Sequence, residues 1–122
     1  MKAAMDSPYF HIRERFGDDG AACLQLVGEL DMGSVEVFAH CVRRASASRG
    51  VVRVDLALLD FIDSSGIAEL IRAVQDSERQ GWQLDISSEV APQVRGVIEL
   101  VGLAPLLWPE PAFQAVVAGT PA

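Results

Sequence analysis

Hydrophobic and polar positions along the chain change period several times, and each change marks an element. Phe10, Ile12 and Phe16 alternate with His11, Arg13 and Arg15, the two-residue period of a strand with one face in water. Gly17-Asp18-Asp19-Gly20 is a turn signal, and Ala21 to Val27 returns as a nearly all-apolar strand, so the pair predicts a hairpin. After Gly28-Glu29-Leu30-Asp31 the period lengthens. Val35, Phe38, Ala39, Val42 and Ala45 fall on one face of a helix that Ser34 can cap and Ser48-Arg49-Gly50 closes. Val51 to Leu56 reads as the central strand, apolar enough to be covered on both faces. Asp63-Ser64-Ser65-Gly66 then leads into Ile67, Leu70, Ile71 and Val74, a helix from about Ser65 to Gln80 that stops at Gly81. Trp82, Leu84 and Ile86 alternate as another strand. Pro92 opens a helix carrying Val94, Val97, Ile98 and Val101, with Gly102 at its end. Leu106-Leu107-Trp108 reads as a short strand and Phe113 to Val117 as a last helical piece.

This order predicts an α/β fold. An opening hairpin is followed by strand–helix units, which form right-handed crossovers onto one mainly parallel mixed sheet of about five strands, with about four helices. The length of 122 residues suits a single domain. Its expected bounds are 9–118, between a loose leader at 1–8 and a frayed tail at 119–122.

Composition narrows the partners. Half of the residues are hydrophobic, yet no apolar run reaches the roughly twenty needed to cross a bilayer. The N-terminal residues lack an apolar signal-peptide core, so a cytoplasmic domain is expected. A formal charge of −7 argues against nucleic acid or an anionic membrane as the main partner and fits a module that meets a basic protein surface. Cys23 and Cys41 lie in apolar-periodic segments without C-x-x-C spacing, and read as small buried residues in a reducing cytoplasm. His40, Arg43 and Arg44 suit the negative end of their helix.

The residues permit little catalysis. A serine hydrolase wants Gly-x-Ser-x-Gly and a placed histidine, whereas the serines here sit in Asp-Ser-Ser-Gly and the histidines are His11 and His40. Asp55, Asp60 and Asp63 could pass for the acidic cluster of a phosphoaspartate receiver domain, but that chemistry needs a lysine late in the chain, and the only lysine is Lys2. Gly66 alone makes no phosphate loop, and no ordered calcium loop or other metal site is present. No enzyme activity, no cofactor and no metal is therefore expected.

What remains is a pair of hydroxyls beside a helix N-terminus, where free N–H groups and the dipole favour an added anion. Taken alone, Asp-Ser-Ser-Gly favours plain capping. With Phe61 two residues before it, a strand ahead of it, and Gly28-Glu29-Leu30-Asp31 at the end of an earlier strand, the motif resembles that of the STAS domain, and most closely the bacterial anti-sigma-factor antagonists. The resemblance runs from about Phe10 to Val117. It implies that Ser64, directly after the aspartate, is phosphorylated by an anti-sigma factor that is itself a serine kinase. It further implies that the unphosphorylated domain sequesters that kinase and frees a sigma factor, and that a PP2C-like phosphatase resets the switch. Asp63 would orient Ser64, Ser65 and Gly66 would form the docked helix start, with Gly66 letting a partner approach, and Asp31 would lie beside them. The resemblance also allows a second role, as a STAS subunit of a stress-signalling or membrane transport assembly without a phosphoserine switch.

Overall fold

The computed structural model describes residues 9–48 and 50–109. The expected leader at 1–8, the helical piece at Phe113 to Val117 and the tail at 119–122 lie outside the described residues. Strands β1 (Phe10–Phe16) and β2 (Ala22–Leu30) form the antiparallel hairpin. Helix α1 (Val35–Ser48), strand β3 (Val51–Ile62), helix α2 (Ser64–Gln80) and strand β4 (Gln83–Ile86) follow, then helices α3 (Pro92–Leu100) and α4 (Ala104–Leu107). The sheet has the order β1-β2-β3-β4, with β2, β3 and β4 parallel. Two successive right-handed crossovers in one direction place α1 and α2 on the same face, where they pack on each other.

Inward-facing side chains form one core. Ala22, Leu24, Leu26 and Leu30 of β2 and Val52, Val54, Leu56, Leu59 and Ile62 of β3 meet Phe38 and Val42 of α1 and Ile67, Leu70 and Ala73 of α2. Among the described residues the other face of the sheet is left largely open. This corrects the expectation of a strand covered on both sides: Val54 is buried, yet Arg53, Ala57, Leu58, Asp60 and Phe61 are exposed.

Strand β3 also runs six residues beyond the expected Leu56, and its inward positions are not evenly spaced. Gln25 pairs with Asp55 but Val27 with Leu58, and Gly28 pairs with Leu59 but Glu29 with Phe61. Each step adds one residue to β3 relative to β2, a bulge that re-aims the following side chains. Inward positions thus fall at 56, 59 and 62, and Leu58 and Phe61 turn out to water.

Four strands are present among the described residues, against about five expected. The missing one is Leu106-Leu107-Trp108, where the chain instead makes α4, with Pro105 in its first turn. Its Leu107 is buried under the core, and Trp108 Nε1 donates to the Ser87 carbonyl at 2.8 Å while Arg95 stacks over the Trp108 ring. Strand β4 pairs only with the first four residues of β3. Alongside the remainder of β3 lies α3, and Gln93 Nε2 donates to the Asp60 carbonyl at 3.2 Å.

Candidate functional site

The C-terminal ends of β2 and β3 form one rung, Leu30 opposite Ile62. The residues that follow them are Asp31 and Asp63, and the Asp63 N–H donates to the Leu30 carbonyl at 3.2 Å. Two acidic loops thus leave the sheet side by side at the mouth above α1 and α2.

Asp63 is the N-cap of α2. Its backbone is extended (φ −111°, ψ −173°), its carboxylate accepts the Gly66 N–H at 3.0 Å, and its carbonyl accepts the Ile67 N–H at 3.0 Å. A cap of this kind stabilises a helix by about 1 kcal/mol. Among the described residues the carboxylate accepts from the Gly66 N–H and makes no hydrogen bond to the Ser64 hydroxyl.

Ser64, Ser65 and Gly66 open α2 in a graded way: Ser64 is exposed, Ser65 half-buried and Gly66 buried. The glycine has an internal reason. A β-carbon at this position would stand 2.6 Å from the Leu30 carbonyl oxygen and 2.8 Å from Ile62 Cγ1. Close approach does require Gly66, and one approaching group is the domain's own β2 end. With the Gly66 and Ile67 N–H groups satisfied, those of Ser64 and Ser65 remain as donors at the positive end of a seventeen-residue helix.

The Asp31 loop is held by Ser34, which is buried. Its hydroxyl accepts the Asp31 N–H at 2.9 Å and donates to the Glu29 carbonyl at 2.8 Å. The expected helix cap therefore reaches backwards and fixes the loop, while its carbonyl starts the helix by accepting from Phe38 N–H at 3.3 Å. The Asp31 carboxylate accepts from Gly33 N–H at 3.0 Å. The side-chain alternation of β2 and β3 locates these loops, but the role of Ser34 depends on a turn that no periodicity reveals.

Elsewhere the open face is charged. Arg53 bridges Asp19 at 2.8 Å and approaches Asp85 at 3.7 Å, and the Arg53 guanidinium holds the Asp19 carboxyl below the usual carboxylate range. Cys23 and Cys41 are free and half-buried, and burial pushes the Cys41 thiol up. Among the described residues no group of three or more His, Cys, Asp or Glu side chains is placed to hold a metal ion. Nor is any described helix long and apolar enough to cross a membrane.

An α/β domain with helices on one sheet face, two acidic loops and an exposed serine at a shared rim is the class that fold and site define. The family model described as "Mlab, STAS domain" matches residues 15–108, and the chain belongs to this STAS-domain family. The fold is that of an anti-sigma factor antagonist from Mycobacterium paratuberculosis (TM-score 0.68, 19% identity, covering 93% of this chain and 97% of that one). It is also that of the Bacillus cell fate determinant SpoIIAA in its phosphorylated form (TM-score 0.61, 20% identity, 89% and 99%). Part of a murine anion transporter, Solute Carrier 26 family member A9, shares it too (TM-score 0.61, 15% identity, 82% and 19%). A search of curated proteins finds no match.

Proposed function

We propose that the chain is an anti-sigma-factor antagonist: a non-enzymatic binding module that grips an anti-sigma serine kinase through the Asp31 and Asp63 loops and is released when Ser64 is phosphorylated. One observation carries this reading. Of the two hydroxyls at the start of α2, Ser64 is the exposed one, with unsatisfied N–H groups beside it and carboxylates on the two adjoining loops. The fold-level likeness to two antagonists, one of them a protein that exists in a phosphorylated form, supports it.

The physics of release follows from that placement. Phosphate adds roughly −1.5 to −2 charges. The helix start stabilises that charge within the free domain. In a docked interface the same dianion stands beside Asp63 and Asp31, and like charges brought together there cost several kcal/mol. That is of the same order as the margin that separates a micromolar complex from a millimolar one, about 4 kcal/mol. A PP2C-like phosphatase then restores the binding form.

The test is intact-mass and phosphopeptide mapping after incubation with candidate anti-sigma kinases and ATP, beside calorimetric binding. Phosphate on Ser64, lost in Ser64→Ala and retained in Ser65→Ala, supports the switch. Phosphate on Ser65, or full-strength binding by protein stoichiometrically phosphorylated at Ser64, rejects it. A second reading, a STAS subunit of a membrane transport assembly, is favoured by the anion transporter that contains this fold. Co-purification with a membrane transporter that ignores Ser64 substitution would select it.

A further inference from the structure

The bulges in β3 create a second surface. Register places His11, Val27 and Leu58 on one rung of the open face. On the next, the Tyr9 carbonyl accepts the Glu29 N–H at 2.7 Å, and Glu29 stands opposite Phe61. Tyr9 is 67% exposed, Leu58 43% and Phe61 48%. Between Tyr9, His11, Val27, Glu29 and Asp60 lies a cleft of about 240 Å³. Regular alternation would have turned Leu58 inward; the extra residue turns it out, into an apolar patch on an otherwise polar face.

Charge identifies the occupant. In the lower half of the face Arg53 is matched by Asp19 and Asp85. In the upper half Glu29 and Asp60 border the apolar patch, and neither is in an ion pair among the described residues. A second copy of the chain would set these carboxylates against their own kind, and an anionic membrane would be repelled. A protein segment that alternates basic and apolar side chains matches both features, since apolar anchors fill the patch and cations meet its border.

We propose that the upper half of the open sheet face is a docking surface for such a basic, apolar segment of a protein partner, separate from Ser64 and usable whether or not that serine is phosphorylated. It stands on residues other than those of the switch, so either can fail alone.

The experiment titrates the isotope-labelled full chain with a synthetic peptide alternating arginine and leucine, and with a glutamate–leucine peptide of equal length, followed by amide chemical shifts. The expected shifts cluster at His11, Val27, Glu29, Leu58 and Phe61, with the cationic peptide only. Leu58→Ser with Phe61→Ser, and separately Glu29→Lys with Asp60→Lys, should each weaken binding at least tenfold; the side chains are exposed or rim the face, and circular dichroism checks the fold. Ser64→Asp should change affinity less than twofold. Shifts scattered over the acidic surface, equal binding by the anionic peptide, or undiminished binding by the Leu58/Phe61 variant would overturn the proposal. So would tighter binding to phosphatidylglycerol vesicles than to the peptide, self-association abolished by the same variants, or a tenfold gain on removing residues 1–8; these assign the face to lipid, a second copy or the chain's own start.

Discussion

The carbonyl oxygen of Leu30 occupies the space that a side chain on residue 66 would need: a β-carbon there would lie 2.6 Å away. The contact is between the end of β2 and the first turn of α2, and the opposing atom belongs to the backbone, so it cannot rotate aside. Gly66→Ala should therefore force the helix start off the sheet and destabilise the domain by about 1–3 kcal/mol. At roughly 4 °C per kcal/mol for a domain of this size, a thermal melt will show it. A melting temperature within a degree of the parent would mean that the rim is looser than described.

Asp63→Ala removes the acceptor of the Gly66 N–H and should cost about 0.5–2 kcal/mol, whereas Asp63→Asn keeps an acceptor and should lose much less. Urea titration of the pair measures the difference. Equal losses would show that charge, and not capping, is what Asp63 supplies.

At Ser64 the helix dipole makes a signed prediction. Ser64→Asp should be more stable than Ser64→Lys by about 0.3–1 kcal/mol at low salt, with the gap closing as salt is added. On the proposed function Ser64→Asp also binds the anti-sigma kinase more weakly than Ser64→Ala. The stability order is read by denaturant titration and the binding order by calorimetry, so a structural error and a functional one are separable.

Glu69 of α2 gives a dependence on pH. Burial raises its carboxyl above the ordinary value, partly offset by Arg72 and Arg43. Below the ordinary carboxylate range both folded and unfolded chains hold the proton, and the group costs nothing. As pH rises past the raised native value, the folded protein must carry a desolvated charge that the unfolded chain carries in water. Glu69 thus lowers stability at neutral pH, and Glu69→Gln should melt higher than the parent at pH 7 but not at pH 4. An advantage of equal size at both values would contradict this.

Trp108 holds the end of the described chain in place. Trp108→Phe keeps a ring beneath Arg95 but loses the bond to the Ser87 carbonyl, a loss of about 1 kcal/mol. Trp108→Ala removes the ring as well and should cost more, measured by the same denaturant titration.

How much of this was legible depends on whether a local rule was also the deciding one. Helices α1 and α2 carried both period and punctuation, and Gly81, at φ 80°, ends α2 where the sequence placed its stop. Strand β3 was found but misread in depth and length, because two bulges break the alternation that burial is inferred from. Leu106-Leu107-Trp108 is too short for periodicity to separate strand from helix; its helical form follows from burying Leu107 and bonding Trp108 to Ser87. The serine pair and its aspartate were visible as a motif. The reason for Gly66 was not, because the group that excludes a side chain sits at the end of a different strand.

The rung shared by Leu30 and Ile62 has a mechanical meaning. Asp31 and Asp63 leave adjoining strands at the same level, so their separation is set by the inter-strand distance of about 4.8 Å and not by the shapes of two independent loops. A partner that touches both is gauging the sheet as a ruler gauges a gap. Loosening one loop loses one carboxylate, whereas opening the rung loses the pair together, and a protein that recognises both at once therefore discriminates a folded domain from a frayed one before it reads any serine.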